Sequence, residues 1–344
     1  MKTFFDESDR LERLSELGDR LETLNKAVNF EIFRSKLSEI WISNDKRLGG
    51  RQKMDSVLMF KILILQKLYS IADDKTEYLI NDRLSFQRFL GLGLGDKVPD
   101  SKTIWLYKEE LTKSGCYKEV FNLFNELLEK AGVITRKGSI VDATISQRPQ
   151  QRYNKEKKAR EKRGEIEPKE RNVHKSRQID KDATYTVKHG RQFFGYKNHV
   201  KVDSDSKIIL NTEVTTASAS DGKQAKKLIN KKDKVLYGDS AYRGQKIAGE
   251  LIKKNKKIRL EICEKAERGH PLTDEQKANN TVKSKVRCRV EHTFGHMVKS
   301  MGGKLIQRVG YTRARCEIYL KNLAYNLSRW AYLSTTWAYS ALST

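Results

Sequence analysis

The 344 residues of this chain are enough to bury a large core and predict two or three domains. Lys and Arg number 69 against 44 Asp and Glu, which gives a formal net charge of +25. Such an excess favours a polyanionic partner, because each phosphate that a cation neutralises releases a counterion. The charge therefore predicts nucleic-acid binding but does not name a reaction.

The cysteines and the apolar segments exclude other classes of protein. The chain has four cysteines and no C-x-x-C pair, which is typical of a reducing compartment. A zinc site is disfavoured, because its candidate ligands match the spacing of no common finger: Cys263, His270, Cys288 and His292. The N-terminus lacks a signal peptide, and charged or polar residues interrupt the longest apolar run, Val57 to Ala72. We expect a soluble cytoplasmic protein without a membrane partner.

Helical patterns fill residues 1–132. Apolar residues spaced three and four apart from Leu11 to Val28 predict an amphipathic helix. Asp55 is a candidate N-cap for a helix through Leu68, and Thr76 to Leu90 is expected to form another. Glycines at 91, 93 and 95 then break the chain, and Asp100 or Ser101 opens a further helix. We therefore assign residues 1–132 to an all-α domain.

The two helices around this glycine-containing connection are compatible with a helix-turn-helix. In that interpretation the exposed candidates for DNA contact are Lys102, Thr103, Trp105 and Lys108. An ordinary helical packing domain, with Trp105 and Leu106 in its core, fits the same pattern. The sequence leaves this choice open.

After Gly132 the hydrophobic pattern changes from helical spacing to short strand-like runs. Ser139 to Ile145 is a β-branched, largely apolar run that predicts a strand, yet it contains Asp142. Desolvating an unpaired carboxylate is costly, so Asp142 is expected to be paired or to bind a metal. Residues 147–177 follow with twelve basic and five acidic side chains and almost no large apolar ones. This insertion, at about 147–180, is interpreted either as a strap along DNA or as a solvated linker.

Strands and helices then alternate to the end of the chain. A hairpin is predicted from Phe193 to Thr216, and later strands end at Asp239 and Ile262. Helices are predicted at Asp221–Ile229, Gln245–Lys254 and Thr312–Tyr332, with a long basic helix that contains Glu291 between the last two. Residues 336–344 are expected to form a tail.

Three carboxylates can meet only through the fold. If the first and fourth strands are neighbours, Asp142 and Asp239 share one edge of the sheet, and a helix packed across that edge can deliver Glu291. Such a triad suits two Mg²⁺ ions roughly 4 Å apart, with Mn²⁺ as a substitute. The alternative is that Glu291 simply pairs with Arg287 in a solvated helix. Candidate phosphate or base contacts near the triad are Arg287, Arg289, Lys299, Tyr242, Arg243, Lys197, His199 and His292; each histidine is also compatible with a structural hydrogen bond.

Four motifs at these residues resemble bacterial insertion-sequence transposases of the IS-five type: Val141–Thr144, Phe194–His199, Tyr237–Gly244 and Arg289–Gly295. The likeness continues from Met301 to Leu327 and, near the N-terminus, from Asp82 to Ile104. It implies an α/β fold, with an RNase H-like catalytic domain at 133–335 behind the all-α domain. We expect a mixed five-stranded sheet flanked by helices.

The resemblance also implies a function. The triad Asp142, Asp239 and Glu291 would hydrolyse phosphodiesters at the 3′ ends of an insertion sequence and join each 3′-OH to target DNA. The helical domain would recognise terminal inverted repeats, and the partners would be double-stranded transposon ends, target DNA and a second copy of the chain in a synaptic complex.

One signature is incomplete. Around the glutamate, the related insertion-sequence-four pattern is Tyr-x2-Arg-x3-Glu-x6-Lys. Arg287 and Glu291 fit it, but Ser284 stands at the tyrosine position and Val298 at the lysine position, with Lys299 one residue further on. Two alternatives to a transposase remain: a non-catalytic DNA-binding protein derived from one, and an RNase H-like nuclease.

Overall fold

The computed structural model describes residues 5–41, 54–149, 163–165, 178–188 and 190–336. Most of the predicted basic insertion and the tail after residue 336 lie outside these ranges. The N-terminal part consists of helices α1 to α8: Phe5–Glu16, Arg20–Ala27, Arg34–Ser38, Ser56–Tyr69, Asp73–Asp82, Leu84–Leu90, Ser101–Ser114 and Cys116–Lys130. None of the described helices is long and apolar enough to cross a membrane.

The predicted N-caps have the expected geometry. The Asp55 carboxylate accepts hydrogen bonds from the backbone N–H groups of Val57 and Leu58 at the start of α4, at 3.0 and 2.9 Å. Asp100 accepts one from the N–H of Thr103 at 2.7 Å and so begins α7. Two predicted helices are each divided. Gly18, with φ +82°, separates α1 from α2, and Arg83 is extended between α5 and α6.

The region after residue 132 is built on a six-stranded mixed sheet, one strand more than the sequence predicted. Its strands β1 to β6 are Ser139–Gln147, Thr184–Lys188, Arg191–Asp203, Ile209–Thr216, Val235–Gly238 and Arg259–Ile262. The strand order is β2-β3-β1-β5-β6, and β4 also pairs with β3. The unpredicted strand is β2, a short segment directly after the basic insertion. Fold class and sheet type otherwise agree with the sequence analysis.

In the part of the chain that the structure describes, five further helices, α9 to α13, follow the first strands: Ala225–Leu228, Gln245–Lys254, Asp274–Arg287, Arg289–Lys299 and Tyr311–Thr336. The predicted long basic helix is thus two helices that meet at Cys288. A helix capped by Asp221 was also expected, but a 3-10 turn, Gly222–Gln224, precedes the short α9 and Asp221 makes no capping hydrogen bond. The last helix, α13, has the buried character that the sequence predicted.

The two faces of the sheet pack into different cores. Ile140, Val200 and Val202 belong to a large core that also includes apolar residues of α4, α8, α12 and α13. Val141 points to the other face, into a smaller core with residues of α9 and α10. Because side chains alternate along a strand, Asp142 lies on the same face as Ile140, under α12. The N-terminal helices and the sheet share the large core; the domain boundary at residue 132 stays a prediction.

Candidate active site

Asp142 and Asp239 lie on neighbouring parallel strands, the arrangement that the sequence predicted for the first and fourth strands. The register of β1 and β5 pairs Ser139 with Leu236 and Ile140 with Tyr237. The same sequence offset separates Asp142 from Asp239, so continuing the register by two residues sets the two aspartates level with each other. Parallel neighbours are about 4.8 Å apart, so the two carboxylates belong to one site.

The electrostatics of Asp142 reflect this crowding. Burial raises the pKa of Asp142 to about 6, and the nearby charge of Asp239 acts in the same direction. A hydrogen bond from the backbone N–H of Ala143 and the charges of Arg287 and Lys188 oppose the rise in pKa. The half-buried carboxylate therefore carries a charge that the protein alone does not fully compensate.

Asp239 is held by the turn that follows β5. Its side chain accepts a hydrogen bond of 2.9 Å from the N–H of Ala241 and caps the 3-10 turn Ser240–Tyr242. Gly238 immediately before it is closely surrounded by side chains. A Cβ there would lie 3.1 Å from both Ile262 and Tyr242 and 3.3 Å from Val141. Close packing of β5 between β1 and β6 thus fixes the height of Asp239.

Glu291 lies in the first turn of α12. Val290 and Phe294 on the same helix are buried in the large core, so α12 packs over the face of β1 that carries Asp142. The Glu291 side chain is 61% exposed, and its carboxylate lies 3.6 Å from the Arg287 guanidinium. Across the residues that the structure describes, no three His, Cys, Asp or Glu side chains converge tightly enough to hold a metal ion. The third carboxylate is therefore on the correct face but apart from the two aspartates.

The two aspartates nevertheless fit a hard cation. Carboxylate oxygens are the ligands that Mg²⁺ and Mn²⁺ prefer, and Mg²⁺ commonly uses only one or two carboxylates together with phosphate oxygens and water. A bound cation would also remove the like-charge repulsion that contributes to the raised pKa of Asp142. We infer this fit from the donor atoms and their charge.

Two predicted DNA contacts lie on the opposite face of the sheet. His199 is paired across the ladder with Ala143, one residue out of phase with Asp142. Its ring is fully buried and Nε2 lies 2.8 Å from the Thr215 hydroxyl, while burial lowers its pKa to about 4. The ammonium of Lys197 donates to Asp221 at 2.9 Å and to a backbone carbonyl. Both side chains have partners within the fold. The fully buried His199 has no surface to present to DNA, whereas contact of the half-buried Lys197 with DNA stays a prediction.

Two further candidates are buried. Tyr242 is 2% exposed and packs in the smaller core, so its ring has no free face on which a base could stack. Lys108 is 4% exposed, and its ammonium donates to Asp73 at 2.5 Å. The exposure that the sequence predicted for Lys108 on α7 is therefore wrong. Helix α7 does present Trp105 and Leu106 to solvent, which contradicts the interpretation that placed these two in a core.

The remaining candidates are accessible. Lys102, His292 and Lys299 are exposed, and Thr103 and Arg287 are half-buried. Arg289 is half-buried and Arg243 is exposed, and both already donate to backbone carbonyls, of Ser204 at 2.9 Å and of Lys265 at 3.1 Å. Contact of these residues with DNA stays a prediction.

Sequence reasoning missed two lysines next to Asp142. The Lys304 ammonium donates to the Thr144 hydroxyl at 2.5 Å, two residues along β1 from Asp142, and lies 4.9 Å from the centre of the Phe294 ring. Burial lowers the pKa of Lys304 to about 8, further reduced by Lys188 and partly restored by Asp142. Lys188 lies on β2, the strand that was not predicted, and its charge lowers the pKa of Asp142. No spacing in the sequence links either lysine to Asp142.

The sequence of this chain matches two families of known proteins. A family model described as a transposase DDE domain matches residues 135–327, and another described as a transposase domain matches residues 9–110. A cryo-EM structure of a piggyBac transposase synaptic complex with hairpin DNA aligns with a TM-score of 0.46 at 11% identity, over 89% of this chain and 75% of that one. The first match covers more than half of the 344 residues and includes Asp142, Asp239 and Glu291. The chain therefore belongs to the transposase DDE-domain family.

Proposed function

We propose that this chain is a divalent-metal-dependent DNA transposase that hydrolyses phosphodiesters at the 3′ ends of an insertion sequence and joins each 3′-OH to target DNA. The observation that carries the proposal is the level placement of Asp142 and Asp239 on adjacent strands, on a face lined by Arg287, Lys188 and Lys304. Paired acids among cations suit a bound metal beside a bound phosphate.

Asp142 and Asp239 would hold the divalent ions together with Glu291. When bound, Mg²⁺ or Mn²⁺ lowers the pKa of the attacking water or 3′-hydroxyl and stabilises charge on the leaving oxygen. The strand register fixes the two aspartates before any ion arrives, so little conformational entropy is lost at these ligands.

Glu291 has to leave Arg287 to join the aspartates. An exposed pair four residues apart on a helix contributes only about 0.3 to 0.5 kcal/mol, so exchanging it for a metal–carboxylate contact is inexpensive. The charge of Arg287 also lowers the pKa of Asp142, so its guanidinium lies near this site. Once freed from Glu291, it would bind a phosphate oxygen of the scissile strand. This exchange would couple DNA binding to completion of the metal site.

Lys304 is suited to bind a phosphate next to Asp142. Its ammonium is held in place by Thr144 and the Phe294 ring, and no carboxylate in the described part of the chain forms an ion pair with it. At position 298, where the insertion-sequence-four pattern has a lysine, this chain has Val298, whose side chain is exposed. Lys304 supplies a cation on the correct face from a different segment, and Lys299 remains a candidate for a peripheral phosphate contact.

A plasmid-based reaction tests the proposal. Purified protein is incubated with Mg²⁺ and a supercoiled plasmid that carries the element's two ends, alongside an EDTA control and a second plasmid as target. We expect cleavage at the 3′ ends and joined products, both lost in Asp239→Asn and Glu291→Gln and retained in Glu275→Gln, an exposed carboxylate on α11.

The products discriminate between the alternatives. Binding without any strand cleavage would favour a DNA-binding protein that has lost catalysis, and nicking of any duplex without joining would favour an RNase H-like nuclease. Because joining requires both ends in one complex, we also expect two protomers per paired-end complex, measured by sedimentation. One protomer in that complex would contradict the dimer.

A further inference from the structure

A second basic site lies along α12, and neither Asp142 nor Asp239 lines it. It is a groove of about 790 Å³ between α2, the end of α4, α12 and α13. Its basic and imidazole side chains are Arg20, Lys207, His292, His296 and Arg329. None of its described lining residues is an aspartate or a glutamate. We refer to it as the α12 groove.

The cations of the α12 groove are not used up by ion pairs. In the described ranges, no carboxylate lies within salt-bridge distance of Arg20, Lys207 or Arg329. Arg329 is oriented by a hydrogen bond of 2.8 Å from Nε to the Ser206 carbonyl and by its position 5.1 Å from the centre of the Tyr332 ring. Arg20 is exposed at the start of α2. The groove therefore concentrates uncompensated positive charge.

The two histidines point to an anion as the ligand. His292 and His296 are one helical turn apart, a spacing that also suits a metal ion. Burial lowers the pKa of His296, however, and so do the charges of Arg20, Arg329 and Lys321. Arg20, Lys207 and Arg329 lie around these histidines without a carboxylate partner in the described ranges, so their charges favour an anion such as phosphate over a metal cation.

The α12 groove lies beside the candidate active site. His292, which lines the groove, directly follows Glu291 in α12, so the groove and the Glu291 carboxylate lie on neighbouring flanks of the same helix. The groove wall also contains Tyr332, which is 57% exposed and whose ring suits a sugar ring between phosphates. Cations supplied by α2, the turn before β4, and α13 would contact successive phosphates of one extended ligand.

We propose that the α12 groove binds the sugar–phosphate backbone of the duplex whose scissile phosphate lies at Asp142. Arg20, Lys207 and Arg329 each neutralise a phosphate, and α12 forms the ridge between this contact and the chemistry. The choice of duplex DNA as the ligand rests on the proposed function. The groove also ties the N-terminal helices to the catalytic sheet through the DNA itself.

The salt dependence of binding tests the α12 groove. Full-length protein in EDTA is titrated against a fluorescent end-bearing duplex at several salt concentrations, so no catalysis occurs. Loss of one phosphate contact lowers the slope of log K against log salt by about 0.9. We expect that change, and a several-fold weaker affinity, in Arg20→Ala and in Lys207→Ala. Arg13→Ala, an exposed arginine on the neighbouring α1 outside the groove, should leave the slope unchanged.

Three results separate this inference from the proposed function. Wild-type slopes in Arg20→Ala and Lys207→Ala, with thermal midpoints confirming that both fold, would overturn the α12 groove alone. Asp142→Asn should keep the wild-type slope while losing cleavage, which shows that the groove acts independently of the metal site. If Asp142→Asn still cleaved, the proposed function would fail, yet the slopes would still report whether the groove binds DNA.

Discussion

The two faces of the central sheet treat buried charge in opposite ways. On the face away from α12, Lys201 and Asp233 are both fully buried, and the ammonium donates to the two carboxylate oxygens at 2.9 and 2.7 Å. On the α12 face, the nearest charged neighbour across the sheet from Asp142 is a like charge, Asp239. The opposite charges of Lys201 and Asp233 hold the scaffold together, whereas the like charges of Asp142 and Asp239 suit a bound cation.

The lysines repeat this contrast. Lys197, on the far face, donates to Asp221 at 2.9 Å, so its charge is satisfied within the protein. Lys304, on the α12 face, has a hydroxyl and an aromatic ring as its partners. The comparison therefore predicts that substitutions on the far face change stability, and that substitutions on the α12 face change DNA chemistry.

The largest effect is expected from Asp142→Asn. The amide keeps the shape of the side chain but removes the negative charge that would hold a metal ion. We expect the rate of strand cleavage to fall at least about 1,000-fold, because metal-ligand groups act as a unit. Single-turnover cleavage of an end-bearing duplex in Mg²⁺ measures it. Cleavage within tenfold of the wild-type rate would remove Asp142 from the active site and break the contrast between the faces.

On the far face, Lys201→Met should reduce stability instead. It leaves the Asp233 carboxylate buried without its closest cation, and breaking such a pair costs about 3 to 5 kcal/mol in free energy of unfolding. Arg136, 3.5 Å from Asp233, offers partial compensation and favours the lower end of that range. Urea denaturation measures the change, with the exposed Lys256→Met as control. A stability equal to that of the control would show that the far-face pair is not structural.

The sequence was enough to place Asp142 and Asp239 on neighbouring strands, but not to tell which face of the sheet Lys197 and His199 occupy. Asp142 and Asp239 could be found because each is a carboxylate inside or directly after a short apolar strand pattern, where an unpaired charge is costly. The face occupied by Lys197 and His199 depends on the register between β3 and β1, which pairs His199 with Ala143. A shift of one residue would have reversed both side chains, and no local pattern fixes that register.

The sequence pattern could have indicated the burial of Lys108 and the strand β2, but not the position of Lys304. Lys108 stands four residues after Ile104 and three before Leu111, both buried, so the helical period already indicated its inward position. The alternating Thr184–Lys188 segment could likewise have been read as a strand. Lys304 is different, because it reaches Thr144 across 160 positions of the chain. Only the folded structure brings such a contact together.

A smaller effect is expected from Lys304→Met on the α12 face. Losing one charge-assisted hydrogen bond to phosphate costs about 1.5 to 3 kcal/mol, which corresponds to a fall of about 10- to 160-fold in kcat/KM. We expect urea stability to stay near wild type, because Lys304 has no carboxylate partner in the described ranges. Cleavage kinetics with Lys256→Met as control measure the effect. An unchanged kcat/KM together with a loss of stability would place Lys304 with the scaffold lysines.

The smallest effect is the share of the Asp142 pKa rise that comes from Asp239, measured from the pH dependence of stability in EDTA. Because the pKa of folded Asp142 is raised to about 6 from its ordinary value of 3.8, ionised Asp142 destabilises the fold. The free energy of unfolding of the wild type, relative to that of Asp142→Asn, should thus fall as the pH rises from about 4 to 6. Above pH 6 this loss should reach a plateau of up to about 3 kcal/mol. In an Asp239→Asn background that plateau should shrink but persist, since burial is the largest cause of the raised pKa. A plateau of the same size in both backgrounds would mean that Asp239 exerts no repulsion on Asp142, and the like-charge half of the comparison would then be lost.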